Sequence, residues 1–496
     1  MSTDALGAAL SGLRAAQAGL GVVSNNIANA GTVGYTAKSL PTQSMISGDV
    51  GMGVRTGEIT RFVDRAIQRD YRAQLSINSY YSTRSSFLER ALAFHGSADQ
   101  GKNIGAKIGD VYQQFVKLSG SPDSATLQQG VVTSAQNMVK AFNDYSKLLN
   151  DMRNDAQSSL KTEVDALNQT LGQIADFNKR IQTLQRVGQS TAALEDQRDM
   201  LIKDVSKQLE ISYYNDGDGT LILQTKGGQL LVDTEARHIS FDASTISASS
   251  TYPNTLGGVI LDGSSGTGSD VDLAAFNLGG KIGALLSMRD TELPGYGAQL
   301  DELAHKMAMR FNDQGVRLFT DQLGVVPPNT PGGYVGFAAQ MKVNESIVAD
   351  PSLLQRGTGG GPALNAGDNS VVMKIVNYAF GRYRDAAGTP NVAFSFSGVG
   401  PQNNISFSII GDPNASIEQF ARAMLDSQAS DYTLVSAKAE SESQYMSEVE
   451  KRLNDTSSVD TDQEMATMIE LQKNYAASAK MINALDELFQ TLLNAF

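Results

Sequence analysis

Met465–Phe496 reads MATMIELQKNYAASAKMINALDELFQTLLNAF, and the spacing of its apolar residues decides the fold class. Leu471, Tyr475, Ser478, Ile482, Leu485, Phe489, Leu492 and Phe496 follow one another in alternating steps of four and three, with Met468 one step upstream. That spacing returns each side chain to the same helix face, so the stretch predicts a helix with a coiled-coil seam. No Gly or Pro interrupts it, and the intervening Gln, Lys, Asn, Ala, Asp and Glu suit a helix. The seam runs to the final residue, where chain ends are usually polar and frayed. Two readings stand open on this stretch alone: the last helix of an ordinary bundle, or a helix made for a partner.

The opposite end of the chain favours the second reading. Leu6, Leu10, Leu13, Gln17, Leu20, Ser24 and Ile27 repeat the 4-3 spacing, with Val23 beside the seam. Gly7, Ala8, Ala9, Gly12, Ala15, Ala16, Ala18, Gly19 and Gly21 fill much of the remaining surface and permit close helix approach. The same glycines make the helix weak alone, at roughly 0.5–1 kcal/mol each relative to Ala. Asp460–Phe496 holds six acidic residues and two lysines, whereas Met1–Leu40 holds Asp4, Arg14 and Lys38, so the two ends do not repel. The expectation is a pair of terminal helices that stay loose in the monomer and gain structure by packing with neighbours.

After the first helix comes Ser24-Asn25-Asn26-Ile27-Ala28-Asn29-Ala30-Gly31-Thr32-Val33-Gly34-Tyr35. Its Asn and Gly residues mark a helix end, since both enter left-handed conformations readily. This run, in particular Ser24, Asn25, Asn26, Ile27, Ala28, Asn29, Thr32, Gly34 and Tyr35, resembles the N-terminal motif of bacterial flagellar axial proteins, the rod, hook and hook-associated proteins. Gly51-Met52-Gly53-Val54 with Ile59 and Arg61 resembles the link of that family into a long helix. Leu194-Glu195-Asp196-Gln197-Arg198-Asp199 and the Gly279-Gly280-Lys281 run are similar to segments of the flagellar hook-associated protein 1 family, the hook–filament junction proteins.

Between the ends, helical periods predict helices over Arg61–His95 (roughly 50 Å long), Ile108–Leu118, Leu127–Leu149, Lys161–Gln185 and Ala193–Gln208. The period then changes to two: Ile211–Tyr214 and Thr220–Thr225 flank Asn215-Asp216-Gly217-Asp218-Gly219 as a hairpin, with further strands at Gln229–Val232, His238–Phe241 and Val259–Leu261. Helices resume at Lys281–Asp290 and Leu300–Asn312. Pro327-Pro328, Pro331-Gly332-Gly333 and Gly359-Gly360-Gly361-Pro362 mark loops in an irregular region, where Asn369–Arg384 reads as a helix and Phe394–Ser397 with Ile405–Ile410 as a hairpin. Pro327–Gly333 is expected to face outward and to carry no essential chemistry; by the resemblance it stands where relatives carry a bulky outer domain that is reduced or missing here. Ser416 with Gln419 forms a capping box opening a helix to Leu453 with a break near Asp431. The fold class is therefore mainly α with β insertions (α+β). It has paired terminal helices (1–40 with 456–496), a helical rod-like domain (41–205 with 281–316 and 414–455), a β-rich module (206–280) and an irregular β insertion (317–413).

Composition excludes several functions. With 40 basic and 53 acidic residues the 496-residue chain carries a formal charge of −13, which disfavours nucleic acid as a partner. It has no Cys, so thiol chemistry and Cys-based metal sites are absent. No basic run with an apolar core opens the chain as a secretory signal, and no uninterrupted apolar run approaches a membrane span. His95, His238 and His305 stand far apart, each in a structural or surface setting. Gly96–Lys102 matches the glycine and lysine spacing of a phosphate loop, but Asn103 replaces the hydroxyl residue that would hold Mg²⁺. Asp216 and Asp218 read as a hairpin turn rather than a Ca²⁺ site. No catalytic, cofactor or metal site is expected.

The resemblance implies a structural, self-assembling, non-enzymatic part of the flagellum, exported through its type III export apparatus and located at the hook–filament junction. Implied partners are other copies of the chain, the hook protein, a second hook-associated junction protein, and an export chaperone bound to the C-terminal helix. The expected assembly surfaces are Leu6, Leu10, Leu13, Leu20, Val23 and Ile27 on the first helix, and Met468, Leu471, Tyr475, Ile482, Leu485, Phe489, Leu492 and Phe496 on the last. A hook or rod protein shares the N-terminal motif and is the nearest alternative. An exported effector with axial-type termini is a more distant one.

Overall fold

The computed structural model describes residues 2–47, 50–96, 103–263, 269–360, 365–407 and 412–494. The first helix, α1 (Ser2–Ala28), leads into a short ribbon and a hairpin. Strand β1 (Lys38–Ser39) pairs antiparallel with β4 (Thr60–Arg61), and between them β2 (Thr42–Ser47) pairs with β3 (Val50–Thr56). The body then begins with α2 (Arg65–Ala93), α3 (Ile104–Gly120), α4 (Ala125–Arg186) and α5 (Ala192–Gln208). Asp64 caps α2, Asn103 caps α3 and Ser124 caps α4, each side chain accepting from orphan backbone amides of the first turn.

Helix α4 is 62 residues long, about 90 Å, and replaces the two helices expected over Leu127–Leu149 and Lys161–Gln185. Val131, Ala135, Met138, Phe142, Leu149, Met152, Ala156, Leu160, Val164, Leu167, Leu171 and Ile174 form one unbroken buried stripe along it. Between the two expected stretches, polar side chains are turned inward. Buried Arg153 donates its Nε to the Arg289 carbonyl at 3.0 Å, and its Nη1 and Nη2 to the Ser247 and Ser250 carbonyls at 3.0 and 2.7 Å. Burial pushes its pKa down to about 10 even with Asp290 nearby. A cation tied to three main-chain carbonyls serves as a core residue here.

The β-rich region holds two small antiparallel sheets. One has the order β5 (Ile211–Asn215), β6 (Leu221–Thr225), β7 (Leu230–Val232). In the other, β9 (Ile260–Leu261) lies between β8 (Ile239–Ser240) and β10 (Val271–Asp272). Helices α6 (Gly280–Ser287) and α7 (Leu293–Asp313) run on through a π-turn at Met288–Glu292, closing the gap expected between them. Along α7 almost every residue is buried, including Leu300, Leu303, Met307 and Phe311. It is the axis on which the irregular region packs.

That region contains β11 (Phe319–Thr320), α8 (Phe337–Gln340), β12 (Lys342–Val343), α9 (Glu345–Ala349), α10 (Leu353–Arg356) and α11 (Ser370–Lys374), with β11 and β12 paired. The helix expected over Asn369–Arg384 stops after α11 and a π-turn at Ile375–Ala379. Its next carbonyls are taken by other partners: Asn391 Nδ2 donates to Tyr378 and Gly381, and Arg310 Nη1 also donates to Gly381. Of the hairpin expected at Phe394–Ser397 and Ile405–Ile410, a Val399–Ile405 bridge and the Phe407 N–Phe396 O bond are present; residues 408–410 lie outside the described residues. The capping box at Ser416 and Gln419 forms, and α12 (Ile417–Ser457) runs 41 residues without the expected break. Asp431 instead accepts from the Tyr296 hydroxyl at 3.1 Å. After Ser458–Asp460 comes α13 (Thr461–Asn494).

The loop Pro327–Gly333 faces outward, with Pro328–Gly333 exposed, and is anchored to α7 at two points. His305 Nε2–H donates to the Pro327 carbonyl at 2.9 Å, and the buried Lys306 ammonium donates to Asn329 Oδ1 at 2.6 Å. Asn329→Ala removes a partner from a buried cation. We expect it to destabilise the chain by about 1–3 kcal/mol, read as a lowered urea midpoint at unchanged slope.

Candidate assembly interface

The terminal helices pair antiparallel: Gly12 lies against Ser478, Gly19 against Leu471, and Asn26 against Glu464. A Cβ on Gly19 would come within 3.0 Å of Leu471 Cδ1, so the absence of a side chain sets how closely the helices approach. The C-terminal seam is turned toward α1, with Met468, Leu471, Ile482, Leu485 and Phe489 half-buried and Tyr475 exposed. Phe496 and the side chain of Leu492 lie outside the described residues.

On α1 the face that meets α13 lies beside the leucine stripe. The buried residues are Ala15, Ala16, Gly19, Val22, Val23 and Asn26, so small residues meet α13, while Leu13, Leu20 and Ile27 flank the contact half-buried. Leu6 and Leu10 are exposed. Leucines catch the eye in a sequence, but the face that admits a second helix closely is the one without bulk. Helix α1 also carries the β2–β3 hairpin, whose Val54 N–H donates to Ser11 Oγ at 3.0 Å. The stretch Ala5–Ala28 is long and apolar enough to cross a membrane by length and composition alone, although Arg14 interrupts its apolar run. Here its small face is occupied by α13 and the hairpin.

Neither terminal helix contributes to the main core. Among the described residues no side chain of α13 is fully buried, and Met465, Ile469, Met481 and Leu488 are each more than half exposed. These residues are distributed around the helix rather than along one line, so α13 is covered on one side only. Apolar surface left open in this way marks a contact surface.

The residues of the Ser24–Tyr35 motif close the inner end of this coil. Asn26 is fully buried and uses its whole amide. Its Nδ2 donates to the Lys38 carbonyl and to Glu464 Oε1, both at 2.8 Å, and its Oδ1 accepts from the Tyr35 hydroxyl at 2.8 Å and the Lys38 amide at 3.1 Å. Asn29 holds the helix end through the Asn25 carbonyl and Thr32. Ser24, Asn25 and Ala28 are exposed, with no such role. Gly34, at φ +81°, sits where a Cβ would be 2.4 Å from Met200 Sδ, which brings the loop flat onto α5.

Against that loop lies Leu194–Asp199, whose spacing puts Glu195, Asp196 and Asp199 on one face of α5. Asp196 accepts from Thr36 Oγ1 at 2.6 Å, Lys38 Nζ at 2.7 Å and Arg61 Nη1 at 3.0 Å. Asp199 accepts from Arg61 Nη1 and Arg72 Nη2, each at 2.8 Å, and from Gln68 Nε2 at 3.0 Å. Arg61 also reaches Glu195 at 2.9 Å. Burial opposes the Arg61 charge, but Asp199 and Glu195 outweigh it and its pKa is raised. Arg198 turns the other way, to Asn178 Oδ1 and the Gly219 carbonyl. Residues more than a hundred positions apart thus share one polar joint that the sequence alone did not reveal.

The remaining candidates are absorbed by the fold. Burial pushes both His95 and His305 down to about 4, His95 lying on Tyr145 and His305 stacked on Tyr334 at 4.1 Å. His238 is exposed beside Asp262. Asp216 and Asp218 stand in the β5–β6 turn, Asp218 accepting from the Thr220 amide. Of the phosphate-loop candidate, 97–102 lie outside the described residues. Among the described residues no three His, Asp or Glu side chains group as metal ligands.

Comparison with known proteins agrees along the chain. Residues 97–322 match the flagellar hook-associated protein FlgK helical domain, 454–495 the flagellar basal body rod FlgEFG protein C-terminal family, and 6–36 the flagella basal body rod protein family. Flagellar hook-associated protein 1 of Bacillus subtilis is 24% identical over 97% of this chain and 96% of its own length. The proteins of that name from Salmonella typhimurium and Escherichia coli are each 26% identical over 62% of this chain; the match spans 55% and 56% of their lengths. A solved structure of the flagellar hook junction protein FlgK from Burkholderia pseudomallei overlaps 52% of this chain and 45% of its own, loosely, at a TM-score of 0.44 and 22% identity. With a helical-domain match over residues 97–322, rod-type matches on both terminal helices and a relative aligned over 97% of the chain, the chain is similar along its length to the flagellar hook-associated protein 1 family.

Proposed function

We propose that this chain is a structural, self-assembling component of the bacterial flagellum that forms the junction between hook and filament, and that it is not an enzyme. The observation that carries the reading is the terminal coil. Helix α13 packs chiefly on α1, and among the described residues it has no fully buried side chain and exposes apolar residues on several sides. A helix so placed is completed by neighbouring subunits. The seam residues from Met468 to Phe489 hold the pair together, leaving Leu6, Leu10 and the exposed α13 residues to other copies. Hook subunits would lie on one side and a second junction protein on the other. Export through the flagellar channel and chaperone cover of α13 before assembly belong to the same proposal. So does the domain division given above, with the β2–β3 hairpin grouped with the coil on which it packs.

Deleting the gene should leave hooks without filaments, and a labelled chain should appear at the distal end of the hook. Normal filaments in the deletion strain, or label along the rod, would refute the junction role.

A further inference from the structure

We infer that Asp196 is a positioning residue that fixes the angle of the terminal coil on the body. The coil meets the body at two backbone crossings. One is the short Ser458–Asp460 joint, where Ser457 O accepts from Ala37 N at 2.9 Å. The other is the stretch between α1 and α2, which lies on α5. The two acids of the polar joint divide its partners. Asp199 serves the body, holding Gln68 and Arg72 of α2. Asp196 serves the coil side, holding Thr36 and Lys38. Arg61 bridges the two acids.

Lys38 is also the residue whose carbonyl and amide engage Asn26, and Asn26 in turn engages Glu464 of α13. One continuous chain of hydrogen bonds therefore runs from α5 through Asp196, Lys38 and Asn26 to both terminal helices. Its side chains are largely out of water, with relative exposures of 9% for Lys38 and 8% for Asp196, so solvent cannot replace a lost partner there. Without Asp196 the coil keeps its internal pairing and loses its fixed bearing, free to swing about Ser458–Asp460.

The chain has no Cys, so Lys207→Cys on α5 and Lys473→Cys on α13 can be spin-labelled uniquely in the full-length protein. Pulsed dipolar spectroscopy should give a narrow distance distribution in the parent. Asp196→Asn should broaden it, with the body's melting preserved and cleavage by added protease between Thr36 and Arg61 rising about tenfold or more. Asp196→Glu, which keeps the charge, should restore most of the narrowness. Thr36→Val with Lys38→Gln, which leaves both acids in place, should broaden the distribution as well. A parent-like distribution in Asp196→Asn or in the double variant overturns the inference, and so does collapse of the body in the double variant. The measurement uses the free monomer, so it stands or falls separately from the junction role, which swimming assays test.

Discussion

A chain carrying Met481→Asp is expected to melt like its parent and still leave the cell without filaments. Met481 is 54% exposed on α13, so the monomer gives up little when it changes, within about 0.5 kcal/mol. In the assembled state the same position would lose roughly 1.5–3 kcal/mol of burial and add the cost of taking a carboxylate out of water. Repeated in every subunit of a layer, that loss is enough to prevent addition. Leu485→Asp differs in kind, because Leu485 is half-buried on the side facing α1. It should block assembly and also part the coil, visible as lost helical circular dichroism with the body's melting unchanged. Asp486→Ala, on an exposed position of the same turn, should swim normally. Electron micrographs of flagella beside thermal melts of the purified chains check all three. A lowered melting temperature in Met481→Asp would show that the residue supports the monomer.

Asp199→Asn is expected to be the more damaging change to the body. Removing its charge leaves Arg61 and Arg72 facing a neutral amide in a largely buried setting, a situation that costs about 3–5 kcal/mol. The pH dependence has a definite sign. Burial alone would raise the Asp199 pKa, but Arg72 and Arg61 outweigh it and hold the carboxyl below its ordinary value of 3.8. The unfolded carboxyl therefore takes up its proton first as acid is added, and the folded state loses this contribution as pH falls through about 4 and below. The difference in urea midpoint between parent and Asp199→Asn should be full at pH 7 and shrink below pH 4. A difference independent of pH would assign the loss to shape rather than charge.

The parts of this fold legible in sequence were those written in apolar period. The seam of α13, the capping box at Ser416, the β5–β6 hairpin and the extent of α5 all follow from local spacing and turn residues. What failed to show depended on residues that look like surface. Arg153 and Gln157 lie in the stretch left between the two helices expected along α4, and both are buried against main-chain carbonyls. On α1 the leucines define a regular stripe, and the stripe of Gly and Ala beside it has the same period but little hydrophobic signal. The Leu194–Asp199 run could be recognised as a family resemblance, but nothing in its own spacing points to Lys38 or Arg61. That contact lies 158 and 135 positions away, and only the folded chain brings it together.

The antiparallel pairing of the chain's two terminal helices has a meaning in time as well as in space. Asn26 and Glu464 are joined by a hydrogen bond across 438 positions. At a synthesis rate of roughly 5–20 residues per second, α1 leaves the ribosome about 20–90 s before the helix that covers it. Contacts of such separation also close late, because the loop entropy must be met before they return anything. Most of the body can fold in that interval, with α12 completing it, and α1 cannot finish. A nascent chain with α12 outside the ribosome and α13 not yet emerged should therefore hold an intact body with an unpartnered first helix, and the coil should be the last structure to appear.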